Sequence, residues 1–170
     1  MLSIETTRLR LLALQSNHLI LLKNGRSILE RHLGLRESSW DMEPEFVQAF
    51  EEVLDMLIER TASHPLNYGL YTNWEIVLAS KNMSIGGVGL FTEAGQTMLG
   101  YSLDKKYHGK GYATEAVMGI CRWVLNEYPN IMEISAETNS GNIPSERVLV
   151  KSGFTFEGDS LEGKKWVLRR

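Results

Sequence analysis

The stretch of this chain best equipped for chemistry runs from Tyr101 to Ala116, YSLDKKYHGKGYATEA. An apolar segment ends at Leu103, a short polar loop holds Gly109 and Gly111, and a helical pattern begins directly after. Glycines let the backbone turn with its N–H groups pointing inward. The first N–H groups of a helix have no internal partners. Amides from Gly109 to Thr114 would therefore form a nest for a phosphate or pyrophosphate, helped by the helix dipole, and Lys110 could add charge from its side chain. On the glycines alone, an ordinary loop between strand and helix is an equal reading.

Three phosphate-loop templates can be laid against this stretch. A nucleotide P-loop needs Gly-Lys followed by Ser or Thr to hold magnesium, and here Gly111 follows Gly109-Lys110. The dinucleotide fingerprint wants a small residue where Thr114 stands, and an acidic residue about 20 positions further on ending a second parallel strand. The third template fits better. His108-Gly109-Lys110-Gly111-Tyr112-Ala113 resembles the pyrophosphate loop of the GNAT acetyltransferases, Gln/Arg-x-x-Gly-x-Gly/Ala, with His108 where that family usually has Gln or Arg. The departure leaves the backbone donors intact and bears only on the side-chain contact at the loop entrance. A second block, Asn142-Ile143-Pro144-Ser145-Glu146-Arg147-Val148-Leu149-Val150-Lys151-Ser152-Gly153-Phe154, resembles the N-x-x-S-x-x-V-L-x-K-x-G-F signature of the same superfamily. Its variant is that of the RimJ/RimL-type branch, which acetylates protein N-termini. The opening, Glu5 to Leu11, is also similar to the first strand of that branch. The resemblance is strong over about 97–157 and weak over 15–70.

The resemblance implies an acetyl-CoA-dependent N-acetyltransferase, with direct attack of a neutral amine on the acetyl thioester. By the same implication, Ser102 and Leu103 offer backbone groups to the pantetheine arm, and the loop His108, Gly109, Lys110, Gly111, Tyr112, Ala113 and Thr114 holds the pyrophosphate. Asn142 would hydrogen-bond the coenzyme, although Asn is also a good helix N-cap and both roles are compatible. Ser145 would sit near the sulfur and donate a hydrogen bond to the departing thiolate, whose pKa of roughly 8.5 calls for little acid help. Donors aimed at the carbonyl oxygen would stabilise the tetrahedral oxyanion. The family often carries a glutamate base in the strand before the loop; that position is Met98 here. Glu93, Glu137 and Glu162 are the substitutes. Trp40 and Tyr71 would line the acceptor side. A lysine amine loses roughly 4–5 kcal/mol to be neutral at pH 7, an α-amine only about 1. A site without a strong base therefore suits a peptide or protein N-terminus, with a small amine of the polyamine or aminoglycoside type as the alternative. A non-catalytic acyl-CoA-binding module is the rival that Met98 would favour.

These residues need a scaffold, and hydrophobic periodicity outlines it. Arg8 to Leu14 predicts a first strand. Two Leu-rich stretches follow at Ser16–Leu22 and Ser27–Leu33, broken by Asn24-Gly25. Glu43-Pro44 opens a long helix to about Thr61, with Phe46, Val47, Phe50, Val53, Leu54, Leu57 and Ile58 on one face. Tyr71–Ala79, Ile85–Phe91 and Thr97–Leu103 predict an antiparallel meander with turns at Lys81-Asn82 and Ala94-Gly95. A helix from Gly111 to about Glu127 buries Ala113, Ala116, Val117, Ile120 and Val124 and stops before Pro129. Then come a strand at Ile131–Ala136, a helix at Ile143–Lys151 stopped by Gly153, and short strands near Phe154–Glu157 and Lys165–Leu168. The expected class is α+β, a GNAT-like fold with a mixed, mostly antiparallel sheet and helices on both faces, residues 1–170 forming one domain.

Bulk properties narrow the partners. The chain has 170 residues, 43% hydrophobic, enough to bury a core without staples. Its formal net charge of −3 gives no general attraction to nucleic acid. A single cysteine makes no internal disulfide, and Cys121 lies on the apolar helix face as a core thiol. The histidines lack ligand spacing, so no metal is expected. The opening MLSIETTRLR lacks the apolar core of a signal peptide, and no apolar run approaches a membrane span. A cytoplasmic protein is expected, its partners acetyl-CoA and an amine acceptor, with a homodimer as one option for its assembly.

Overall fold

The structure, a computed structural model, describes residues 1–41, 44–161 and 163–170, and the side chains of 44–47 and 49 fall outside the description. Glu43, the side chains of Phe46 and Val47, and Glu162 therefore lie outside the described residues. Among the described residues eight strands form one sheet: β1 (Ser3–Glu5), β2 (Leu9–Ala13), β3 (Asn73–Leu78), β4 (Met83–Glu93), β5 (Gln96–Leu103), β6 (Glu133–Asn139), β7 (Thr155–Asp159) and β8 (Gly163–Arg169). Their spatial order is β1-β2-β3-β4-β5-β6-β8-β7. Every neighbouring pair is antiparallel except β5–β6. Helices α1 (Ser16–Asn24), α2 (Arg26–His32) and α3 (Pro44–Ser63) connect β2 to β3, α4 (Tyr112–Glu127) joins β5 to β6, and α5 (Ile143–Lys151) joins β6 to β7. The α+β class, the meander and the strand–helix–strand unit are as the periodicity predicts. No helix among the described residues is long and apolar enough to cross a membrane.

Alternation along the strands divides the sheet into two faces. Leu9, Leu11, Trp74, Ile76 and Leu99 turn towards α4, where Ala116, Val117, Ile120 and Val124 are fully buried against them. Trp74 fills the middle, its Nε1 donating to the Gly69 carbonyl at 2.9 Å and its ring edge-on to Trp123 at 4.9 Å. Each buried Leu, Ile or Val adds roughly 1.5–3 kcal/mol. The opposite face takes the other helices. Leu14, Leu19, Leu29, Leu54 and Leu57 form a second cluster there, and Leu12, Leu35 and Val77 a third. Within the predicted α3 stripe, Leu54 and Leu57 are buried, while Phe50 and Ile58 are partly buried against them. Val53 is 39% exposed and sits at the edge of the stripe.

Local chemistry fixes the ends. Gln15 and His18 cap α1 reciprocally, and the Gln15 N–H donates to His18 Nδ1 at 3.2 Å. Gly25, at φ 144°, turns the chain into α2. Asn142 caps α5, accepting from the Ser145 N–H at 3.2 Å, and Gly153 closes it at φ 92°. Two strands differ from expectation. Arg8–Leu14 contains the second strand, because Ser3–Glu5 pairs with Arg10–Leu12 as an edge too short to show a period. The strand expected at Ile131–Ala136 runs Glu133–Asn139, because Glu137, Thr138 and Asn139 pair with Lys165, Lys164 and Gly163 despite their polarity.

Candidate active site

The parallel pair β5–β6 is where the sheet opens. The two strands pair only from Thr97↔Ile134 to Leu99↔Ala136, yet continue to Leu103 and Asn139. Beyond Leu99 they diverge, and there Tyr101 donates its hydroxyl to the Ser145 carbonyl of α5 at 3.1 Å. Burial pushes the Tyr101 phenol up to about 12, against a smaller opposing effect of the Ser145 hydrogen bond, so it stays a protonated donor. A cleft of about 1100 Å³ enters this opening. It is larger than a compact ligand needs.

The glycine loop forms one wall. Gly109 and Gly111 have φ of 72° and 79°, the left-handed region where a side chain is strained. The first backbone bond of α4 runs from the Glu115 N–H to the Gly111 carbonyl at 3.0 Å. None of the N–H groups from Gly109 to Thr114 is engaged by another described residue. Gly109, Gly111, Tyr112, Ala113 and Thr114 all line the cleft. Unspent donors at a helix N-terminus are an anion site. Of the other residues predicted for the coenzyme, Ser102, Leu103, His108, Asn142 and Ser145 also line it.

Two side chains of the loop are used differently from expectation. Lys110 does not line the cleft; its Nζ donates to the Lys106 carbonyl at 2.8 Å, beside the Tyr107 ring. A Nε2–carbonyl contact of 2.9 Å ties the His108 ring to Leu103, so it braces the loop entrance from within. Positive charge enters from α5 instead. Arg147 and Lys151 line the cleft, and neither has an ion-pair partner among the described residues. Their spacing at i and i+4 on a capped helix was the available signal. A further clamp was invisible to local reading. The Arg8 guanidinium donates to Glu115 at 2.7 Å and to the Lys110 carbonyl at 3.0 Å, and it stacks on Tyr112 at 4.4 Å. The Thr6 hydroxyl and the Arg8 N–H each donate to Glu115 at 2.7 Å.

The carboxylate candidates separate by position. Glu93 pairs with Gln96 at the tip of the β4–β5 hairpin and is bound by Arg60 at 2.9 Å. Seven strand residues, about 20 Å or more, divide it from Gly86 at the cleft end. Glu137 immediately follows Ala136, the last residue paired with β5, and so stands where the strands part. It is exposed to solvent. Met98 pairs with Ser135 before the opening. Cys121 is 2% exposed and burial pushes its thiol up to about 12, so it offers no thiolate.

The two predicted acceptor residues part company as well. Tyr71 stacks on His64 at 4.1 Å, packs against the main core and does not line the cleft. Trp40 belongs to a wall on the helix α1–α3 side. Arg26 lies 3.3 Å from its ring centroid, and its Nε1 donates to the Ser84 carbonyl at 3.2 Å. Its neighbours Ser39 and Asp41 accept from the Lys106 Nζ at 2.8 Å and the Lys105 N–H at 3.1 Å through their carbonyls. Beneath Trp40, fully buried Glu75 meets Arg26 at 3.0 Å and the Ser84 hydroxyl, while Glu30 accepts from the Ser38 N–H at 2.9 Å. Among the described residues no group of three His, Cys, Asp or Glu could hold a metal.

The family profile described as the acetyltransferase (GNAT) domain matches residues 8–155. The "Uncharacterized N-acetyltransferase YjdG" of Bacillus subtilis (strain 168) is 26% identical over 175 aligned residues, covering 98% of each chain. Among solved structures, the ribosomal-protein-S5-alanine acetyltransferase from Vibrio fischeri superposes with a TM-score of 0.64 at 23% identity, covering 98% of this chain and 94% of that one. RimL, a ribosomal L7/L12 alpha-N-protein acetyltransferase in complex with coenzyme A, gives 0.68 at 18% identity, over 99% and 98%.

Proposed function

The chain belongs to the acetyltransferase (GNAT) family, and on that premise we propose that it is an acetyl-CoA-dependent N-acetyltransferase whose acceptor is the α-amine of a peptide or protein N-terminus. The family membership carries the acetyl-CoA-dependent transfer; the acceptor and the residue roles are the proposal, with residues 1–170 acting as one catalytic domain. The observation that bears most weight is the run of unspent amides from Gly109 to Thr114, over two left-handed glycines, on a cleft that ends in the strand opening. Those amides bind the pyrophosphate, and Arg147 and Lys151 add positive charge that attracts the coenzyme's phosphate groups.

Bound acetyl-CoA supplies an activated acyl group: the amine nitrogen forms a bond to the carbonyl carbon, the C–S bond breaks, and the thiol is released. The side chains manage protons and position. The Ser145 backbone is held between Asn142 and Tyr101, and in this reading its hydroxyl donates to the departing sulfur. Glu137 at the opening takes the proton shed by the attacking amine. The acceptor follows from energetics. Neutralising a lysine at pH 7 costs roughly 4–5 kcal/mol, an α-amine about 1. Of the described carboxylates on the acceptor face, Glu75 is tied up by Ser84 and Arg26 and Glu137 is open to water. Among the described residues no carboxylate there is built to strip a lysine. The RimL and ribosomal-protein acetyltransferase relatives by fold agree with this choice.

The test is thiol release from acetyl-CoA with peptides bearing free Ser, Ala or Met N-termini, with an Nα-blocked lysine peptide and with spermidine, products read by mass spectrometry. Acetylation of the free α-amines is expected. Turnover on the lysine side chain or spermidine, with none on N-termini, would overturn the acceptor assignment.

A further inference from the structure

We propose that the acceptor amine sits in a slot on the open sheet face, floored by Gly89 and Gly100, with Asn73 as the side chain that positions it opposite Glu137. The inference rests on the amine-acetylating reading above and adds the residues that seat the acceptor.

The strand registers place these four residues in one row. Asn73 pairs with Gly89, and Gly89 with Gly100. Leu99 pairs with Ala136, so Gly100 and Glu137 are the next residues along, on either side of the opening. Directly paired residues share a face, and the row falls on the face opposite Leu99 and Trp74. Three interstrand steps of about 4.8 Å separate the Asn73 and Glu137 backbones, roughly 14 Å before the strands diverge. The floor between them has no side chains. Among the described residues a Cβ on Gly100 would meet nothing within 4 Å, and one on Gly89 only the Gly100 carbonyl oxygen at 3.9 Å, so no described side chain stands over either.

Asn73 is the second, independent observation. It is 7% exposed, yet its carboxamide has no hydrogen-bond partner among the described residues. Its neighbour on the same strand face, Glu75, is fully engaged by Ser84 and Arg26. Its residue is buried but its polar atoms are not sealed from solvent, so the carboxamide is free to bind a molecule that enters over the glycine floor. Gly87 makes room for it: a Cβ there would lie 2.7 Å from Asn73 Oδ1. The carboxamide thus leans over β4 at Gly87, whose strand partner is the cleft residue Ser102. It lies one strand away from the coenzyme cleft.

An amide offers one acceptor and two donors. Oδ1 takes an N–H of the neutral amine and leaves its lone pair for the thioester carbon; Nδ2 donates to the first carbonyl of the acceptor. A peptide N-terminus has such a carbonyl next to its α-carbon, and a polyamine does not. Glu137, across the slot, faces the proton that must leave.

The test uses the full chain with acetyl-CoA and two acceptors, the tetrapeptide Ser-Ala-Ser-Ala and spermidine. For Asn73→Ala the expected result is a peptide KM at least tenfold higher, kcat changed less than threefold, and acetyl-CoA Kd by calorimetry within twofold. Tm should move by no more than about 2 °C, because no internal hydrogen bond is lost. Asn73→Asp, which keeps an acceptor oxygen, should recover part of the KM. Gly100→Val has room to fold, fills the slot, and should abolish peptide turnover with coenzyme affinity intact. An unchanged peptide KM in Asn73→Ala, or wild-type peptide turnover in Gly100→Val, would refute the slot and leave the wider acceptor assignment standing. If the wild type acetylates spermidine alone, the peptide reading falls instead, and the slot is judged by the same KM shift with spermidine. Failure of every amine overturns both.

Discussion

The proposed coenzyme side and the proposed acceptor side of this molecule are built from different material. The first is main chain: two left-handed glycines, the unspent amides of a helix start and an Asn-capped second helix. The second is side chain: Trp40 stacked on Arg26, with Glu30, Glu75 and Ser84 beneath it, contributed by four separate segments. A main-chain site depends on local backbone geometry and is sensitive to what occupies one or two positions. A side-chain site depends on the mutual support of residues far apart in sequence, and losing one member leaves the others buried and unpaired.

That difference predicts opposite kinds of damage. The largest effect should come from Arg26→Met. It leaves Glu75 fully buried without its guanidinium, and removing one partner of a buried pair costs about 3 kcal/mol or more. For a chain of this size that is a fall in Tm of roughly 6–12 °C by thermal denaturation. Acetyl-CoA affinity of the folded fraction should be unchanged; if it collapses too, the two sides are not separable. Next is Gly111→Val. A β-branched residue at φ 79° is strained by about 1–3 kcal/mol, and the loop must move to relieve it. Calorimetry should show acetyl-CoA Kd raised on the order of 100-fold, about 2.7 kcal/mol. A Gly111→Val protein that binds the coenzyme normally would mean that these amides are not the anchor. Tyr101→Phe sharpens the boundary between the sides. It removes one hydrogen bond to the Ser145 carbonyl, worth about 1 kcal/mol, and should lower kcat several-fold with little change in coenzyme affinity.

The same contrast explains what could be read from the chain alone. Helix α5 was legible to the residue, because Asn142, Pro144 and Gly153 are local stop and start signals. The glycine loop was legible for the same reason, since positive φ and free helix amides follow from residue type and order. The roles of Lys110 and His108 were not, because the competing partners, the Lys106 and Leu103 carbonyls, appear only once the loop has closed. Arg8 lies over 100 positions from Glu115, so no window of sequence contains that clamp. Glu93 and Glu137 look alike as residues. Strand register alone separates them, setting one at a hairpin tip and the other where β5 and β6 part. Asn73 was hidden by its position: inside the stretch Tyr71–Ala79 it is one polar residue of a strand, and only the structure shows that its carboxamide lacks a partner among the described residues.

The smallest effect tests how firmly the main-chain side is tied to the rest. Partial burial alone would raise the Glu115 carboxyl, but hydrogen bonds from Thr6 and Arg8, with the Arg8 charge, outweigh it and hold Glu115 below the usual carboxylate range. A carboxylate whose folded value lies below its unfolded one stabilises the fold fully at pH above the unfolded value, near 4.3, and loses that contribution as pH falls through the folded value. Arg8 is 42% exposed, so solvent screening limits the contribution to less than about 1 kcal/mol. The Tm advantage of the wild type over Glu115→Gln should therefore be flat from pH 7 to about 5 and shrink below about 4. Tyr101, pushed up to about 12, adds no alkaline counterpart in the working range. An advantage that grows on acidification would have the wrong sign for this clamp. It would mean that Arg8 holds the Lys110 carbonyl without help from Glu115, and that the glycine loop is anchored by one hydrogen bond, not by the network.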